Sequence, residues 1–235
     1  MMSSPLAWVR RLTRALEATL LPPVCGGCGR RGEWLCPSCT AALRPLTDAR
    51  CRCGRPGTRG RVCSVCAEWP DALGPIRAAF VFEGPLRSSI HRFKYRGEYA
   101  RGRYLGSLLA EAAATTLDGV ALDLVLPIPL HPRRQRERGF NQAQILAEAV
   151  AARLGVPLGQ DLLRIVDTRS QVGLDYAGRR ANMQGAFRSG PGVRGASVLL
   201  IDDVVTTGAT MEAAGLALLE AGARHVRGLA LARGA

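Results

Sequence analysis

The stretch that most limits how this chain can fold is Val198–Thr210, VLLIDDVVTTGAT. Val198–Ile201 is an unbroken apolar run, the pattern of a parallel strand buried on both faces. Asp202 and Asp203 follow at its carboxyl end, then the small-residue loop Thr206-Thr207-Gly208-Ala209-Thr210, then an Ala/Leu-rich helical stretch to Glu220. In an open α/β sheet, ligands sit beyond the carboxyl ends of the strands. A loop of Gly, Thr and Ala lets backbone N–H groups close round a phosphate, threonine hydroxyls add donors, and the helix that starts there brings its positive dipole end. The two carboxylates repel a phosphate but suit ribose hydroxyls or a divalent cation. The stretch therefore predicts a sugar phosphate, with phosphate in the loop and sugar over the acids.

This order of strand, paired acids, Thr-rich loop and helix resembles the phosphoribosyl-pyrophosphate (PRPP) signature of type I phosphoribosyltransferases. The resemblance implies that Asp202 and Asp203 are the catalytic pair, holding the ribose hydroxyls or Mg²⁺ directly or through water. It implies that Thr206, Thr207, Gly208, Ala209 and Thr210 hold the 5′-phosphate. A second apolar strand, Asp123–Ile128, opens into HPRRQRERGFNQA, residues 131–143. Arg133, Arg134, Arg136 and Arg138 read as a compact anion-binding cluster. Arginines just past a strand end are placed to hold a pyrophosphate bidentately, a role assigned to Arg133, Arg134 and Arg138. A solvated loop with spare charge is the alternative. The 6-oxopurine enzymes carry Asp where this chain has Thr206, so such a purine is a poor acceptor candidate, and no obvious general base replaces that Asp.

All eight cysteines lie between residues 25 and 66, as Cys25-x-x-Cys28, Cys36-x-x-Cys39, Cys51-x-Cys53 and Cys63-x-x-Cys66. Paired cysteines beside glycines form turns that aim two sulfurs at one metal, and four thiolates close a tetrahedral structural zinc site. Four pairs imply two structural Zn²⁺ ions. Sequential grouping is the first expectation and an interleaved one stays open. The Cys51-x-Cys53 spacing is one residue short of the usual pair. The segment is poor in apolar residues, so metal binding must supply much of its stability.

The chain has 235 residues, enough for one ordinary domain plus a small module, and a formal net charge of +13. Such a surface favours nucleic acid, anionic lipid or phosphorylated ligands. Nearly all of this charge is arginine, so an Arg-rich genome is the plain alternative. The densest basic stretch contains Arg92, Lys94, Arg96, Arg101 and Arg103, interleaved with Phe93, Tyr95, Tyr99 and Tyr104. Cations that follow a backbone and rings that stack on bases suit single-stranded nucleic acid. A pyrophosphate pocket or a solvated helix face are the alternatives.

No apolar run is long enough to span a membrane, and Arg10, Arg11, Arg14 and Glu17 interrupt any secretory signal core, so the sequence reads as cytoplasmic. Residues 5–21 read as an amphipathic helix, which packs on its own protein or lies on a membrane surface. The polar stretch 169–187 reads as a hood over the ligand. The boundaries that follow are an N-terminal helix over 1–24, a double zinc ribbon over 25–70 and a phosphoribosyltransferase-like domain over 76–235.

Taken together, the four cysteine pairs, Phe93-Lys94-Tyr95, Pro127–Leu130, Arg138–Gln142, Arg169 with Gln171 and Leu174, Arg179-Arg180 with Asn182 and Phe187, and Val198–Thr210 resemble the ComF family over nearly the full length. The resemblance implies an open, mostly parallel sheet with helices on both faces, the type I phosphoribosyltransferase fold, preceded by a small double zinc ribbon. It implies a role in natural transformation: binding single-stranded DNA, with DNA-uptake machinery at the inner face of the membrane as partner. A working phosphoribosyltransferase, moving phosphoribosyl from PRPP with Mg²⁺ to an unidentified acceptor, is the alternative. A purely structural adaptor is the third class.

Overall fold

The computed structural model describes residues 22–47, 51–55, 62–167 and 176–234. The amphipathic stretch 5–21 and residues 169–175 of the hood lie outside the described residues. In chain order the elements are α1 (Pro37–Ala41), β1 (Leu73–Val81), α2 (Gly84–Tyr95), α3 (Tyr99–Thr116), β2 (Leu124–Pro127), α4 (Pro132–Arg138), α5 (Gln142–Leu154), β3 (Leu162–Arg164), α6 (Tyr176–Met183), β4 (Phe187–Ser189), β5 (Ser197–Val205), α7 (Ala209–Glu220) and β6 (His225–Arg233).

Four strands form a sheet in the order β1-β6-β5-β2, and every neighbouring pair is parallel. Both faces are covered, which explains the unbroken apolar runs. Along β5, Val198 and Leu200 face Met211, Ala214 and Leu218 of α7. Leu199 and Ile201 face the other way, against Leu105 and Leu109 of α3 and Ile145, Leu146 and Val150 of α5. β3 and β4 form a separate antiparallel pair.

Two expectations change at this level. The acids were expected past the end of β5, yet the strand runs on through them: Asp202 pairs with Ala230, and Val205 with Arg233, on β6. On its other side, β5 loses its neighbour where β2 ends, the last pair being Pro127 with Ile201. A proline-flanked strand stops early because proline has no N–H for the ladder. That leaves one edge of β5 bare beside the acids. The arginine cluster, read as an anion-binding segment at the mouth of β2, is a helix. His131 Nδ1 accepts from the Arg133 N–H at 3.4 Å at its start, and Gly139 ends it at φ 78°.

The two cysteine groups attach differently. The first packs on α3 through Leu35, Tyr104 and Leu108. It is locked there by Arg101, which is fully buried. The Arg101 guanidinium donates to the Val24 carbonyl at 2.7 Å, the Trp34 carbonyl at 2.9 Å and Ser89 Oγ at 3.3 Å, and pairs with Glu98. A β-carbon on Gly26 would overlap Ser89 Oγ, so only glycine lets this knuckle close on α2. The second group lies inside the main core. Cys51, Cys53, Cys66 and Trp69 share a cluster with Leu73, Ile76, Val205 and Met211. Arg77 donates to the Cys51 carbonyl at 2.9 Å and Arg233 to the Cys53 carbonyl at 3.2 Å. No helix among the described residues is long and apolar enough to cross a membrane.

Candidate functional site

A cavity of ≈ 920 Å³ opens beside the bare edge of β5. Asp202, Asp203, Thr206 and Thr210 line it together with Arg133, Arg134 and Arg138 of α4. Sheet, loop and arginine helix therefore meet at one cavity. Because α4 is a helix, its residues divide by face. Arg133 with Glu137 and Arg134 with Arg138, two pairs four residues apart, line the cavity, and Arg136 does not. Thr207, Gly208 and Ala209 do not line it either. Gly208 is the left-handed residue before α7, at φ 90°, and Thr207 Oγ1 accepts from the Ala209 N–H at 3.4 Å. Gly208 itself makes no side-chain cap, and the side-chain acceptor at the start of α7 is Thr207 Oγ1.

Lys94 belongs to this cavity. Its Nζ lies 2.8 Å from Asp203 Oδ1 and both side chains are largely buried, which corrects its assignment to the DNA-contacting set. Arg101 is corrected likewise: fully buried, it reaches no ligand. Arg92 pairs with Glu98 at 3.3 Å. Arg96 and Arg103 are exposed, and Arg103 lies over the Tyr99 ring at 5.2 Å. Sequence reading missed Arg164, which sits at the end of β3, is 9% exposed and lines the same cavity. Burial, then the charge of Arg134, lowers its pKa. Its only sequence signal is a single cation inside a short apolar strand.

The Asp203 N–H donates to Asp202 Oδ1 at 2.8 Å. Burial, reinforced by the charge of Asp203, pushes the Asp202 carboxyl up from 3.8 to about 7. Below pH 4 the folded and unfolded chains both hold this proton, and there is no effect. Above it the unfolded chain ionises first, so this residue lowers stability progressively up to pH 7, and by a constant amount beyond. Asp202→Asn is thus expected to stabilise the unliganded protein at pH 8 by about 1–2 kcal/mol, after discounting for partial exposure. Melting temperatures at pH 8 and pH 4 check this: the gain belongs at pH 8 alone, and an equal gain at both contradicts it.

The cysteines group sequentially, Cys25/Cys28/Cys36/Cys39 and Cys51/Cys53/Cys63/Cys66, with the sulfurs of each group within 4.8 Å of one another. Tetrahedral zinc with Zn–S bonds of about 2.3 Å needs sulfurs about 3.8 Å apart. Cys28–Cys36 at 3.6 Å, Cys51–Cys63 at 3.8 Å and Cys63–Cys66 at 3.6 Å fit that requirement. Cys51–Cys53, with its single spacer, is tighter at 3.0 Å. The thiols also share protons unevenly. Burial pushes Cys25 up, but N–H groups of Cys28, Cys36 and Gly27 outweigh it and hold the thiol down at about 6. Burial pushes Cys39 up to about 12. A dication among four sulfurs removes this conflict.

The family described as "Phosphoribosyl transferase domain" matches residues 141–235, from α5 through β6, which includes the acids and the loop. DNA utilization protein YhgH of Escherichia coli is 31% identical over 232 residues, covering 97% of this chain and 96% of its own. Competence protein ComFC of Bacillus subtilis is 31% identical over 200 residues, covering 81% and 80%. The chain belongs to the ComF family. Competence protein F of Haemophilus influenzae is 28% identical over 210 residues, covering 85% of this chain and 90% of its own. The ComF architecture is thus a type I phosphoribosyltransferase fold preceded by two four-cysteine groups that fit a double zinc ribbon.

Proposed function

We propose that this ComF-family chain handles incoming single-stranded DNA and carries a PRPP-binding domain. The observation that supports it is the convergence of Asp202, Asp203, Thr206, Thr210, Lys94 and the α4 arginines on one cavity, in a family whose relatives are named for competence and DNA utilization. The 5′-phosphate sits at Thr206, Thr210 and the start of α7, where the positive end of the helix dipole favours an anion. The ribose hydroxyls sit over Asp202 and Asp203. The pyrophosphate meets Arg133, Arg134 and Arg138. Mg²⁺ bound with PRPP offsets phosphate charge, and the acid pair has the oxygen ligands that a hard cation takes. DNA follows the exposed cations Arg96 and Arg103. The setting is the cytoplasmic face of the membrane, beside DNA-uptake machinery.

A second reading, the active transferase, is favoured by the Asp202 carboxyl, which at about 7 is matched to proton exchange at neutral pH. An acceptor atom would form a bond to the ribose C1 as the C1–pyrophosphate oxygen bond breaks. The acceptor's proton would pass to Asp202, and the α4 arginines would stabilise the departing pyrophosphate.

Two measurements test the reading. Single-stranded DNA binding is expected to weaken steeply with salt, each phosphate contact adding about 0.7 to the slope of log K against log salt. PRPP with Mg²⁺ is expected to raise the melting temperature, by about 2.7 kcal/mol of stabilisation at a hundred times its dissociation constant. Asp202→Ala with Asp203→Ala removes that rise. A rise that survives the double substitution sinks the PRPP assignment.

A further inference from the structure

The cavity mouth carries a strip of rings and cations. Arg138 lies 5.5 Å over the Tyr95 ring, and Arg103 lies 5.2 Å over Tyr99. Tyr99 meets Phe140 edge-on at 6.0 Å, and Phe140 stacks on buried Phe93 at 5.4 Å. Tyr95 is 69% exposed and Tyr99 40% exposed. Tyr95 follows Lys94 at the carboxyl end of α2, and Tyr99 opens α3, so two rigid helices hold the strip. Exposed rings flanked by arginines are what successive bases and phosphates of a single strand require.

Two members of this strip, Tyr95 and Arg138, also line the PRPP cavity. We infer that single-stranded DNA and PRPP compete for Tyr95 and Arg138 and therefore bind this chain mutually exclusively. This rests on the function proposed above, since both ligands come from it. The charge balance has the same sign. The cavity is lined by five cations, Lys94, Arg133, Arg134, Arg138 and Arg164, against three acids, Asp202, Asp203 and Glu137. The empty mouth is therefore positive and attracts a DNA phosphate. PRPP, with one monoester phosphate and a diphosphate, carries roughly −4, and even with the Mg²⁺ bound to it cancels that positive charge. The exclusion is thus both steric and electrostatic. PRPP level would decide whether the chain is free to hold DNA.

The test is fluorescence anisotropy of labelled oligo-dT on the full chain, at fixed Mg²⁺ and ionic strength, titrated with PRPP, with sulfate as the ionic control. PRPP is expected to release the DNA, weakening its apparent affinity about tenfold at ten times the PRPP dissociation constant, while matched sulfate does little. By linkage, DNA weakens PRPP equally. Tyr99→Ala is expected to weaken DNA by about fivefold or more while the PRPP-induced melting rise persists. Arg138→Gln is expected to weaken both ligands. If PRPP-loaded protein binds the oligonucleotide with unchanged affinity, the exclusion is overturned and the two-ligand function stands. If DNA fails to bind at low salt, or PRPP gives no melting rise, the proposed function falls and the exclusion with it.

Discussion

Cys53→Ser is expected to lower the melting temperature far more than Cys28→Ser, and to abolish the PRPP response that Cys28→Ser leaves intact. Cys28 is exposed at the rim of the first group. Cys53 is fully buried, in the cluster that contains Ile76, Val205 and Met211. Its carbonyl takes the Arg233 guanidinium, and a β-carbon on Gly208 would lie 3.8 Å from the same oxygen and 3.6 Å from Ile76 Cδ1. The Thr206–Thr210 loop thus lies against the second cysteine group at Gly208. Loss of one thiolate would leave three sulfurs, buried Cys51 and Cys66 and half-buried Cys63, to hold a metal against the main core. The expected cost is about 4 kcal/mol or more, roughly 10 °C in a domain of this size. Zinc analysis of both variants, with melting curves taken with and without PRPP and Mg²⁺, decides it. Equal losses in the two variants would mean that the second group is an independent appendage. Should Cys53→Ser fail to accumulate as folded protein, Gly208→Ala probes the same contact: its left-handed backbone disfavours a side chain, and a weakened PRPP rise is expected.

Arg101→Ala is expected to be the most damaging change outside the cysteines. Burial lowers the Arg101 pKa, and Glu98 beside it offsets that by favouring the charged form. The guanidinium lies 4.9 Å over the Trp34 ring and ties α2, α3 and the first cysteine group together through its donors. Truncation empties the space of a fully buried side chain, takes a donor from the Val24 and Trp34 carbonyls and leaves Glu98 with Arg92 alone, a loss of about 3 kcal/mol. Lysine is not expected to rescue it, because a single ammonium cannot reproduce a planar fork that bonds on three sides. Melting curves check the loss, and the rate at which a chelator strips the first zinc gives a second readout. That rate should rise at least as steeply as stability falls, since the anchor of the site is gone. Near-wild-type stability in Arg101→Lys would refute the fork argument.

The legible parts of this molecule are those written in local pattern. The apolar run before Asp202 could only be a strand covered on both sides, and the sheet covers it so. Cysteine pairs announced two four-sulfur groups, because a knuckle needs only neighbours in sequence. The charged residues were harder to place. In the stretch from Arg92 to Arg103, identical guanidinium chemistry ends in three places: Arg101 in the core, Arg92 on Glu98, and Arg103 over an exposed ring. Lys94 turned inward to Asp203, which lies far along the chain.

What the sequence determined by itself was the fold type, the strand that carries Asp202 and Asp203, and the cysteine pairs that build two four-sulfur groups. All of these rest on short-range spacing and on the period of apolar residues. What only the tertiary structure decided was which cations line the cavity, that Arg164 joins them, and that the second cysteine group underlies the loop at Gly208. A side chain's role there depends on partners brought in by sheet order. An arginine in a sequence carries its charge but not the burial and the opposing carboxylate that decide whether the charge binds a ligand or holds the fold.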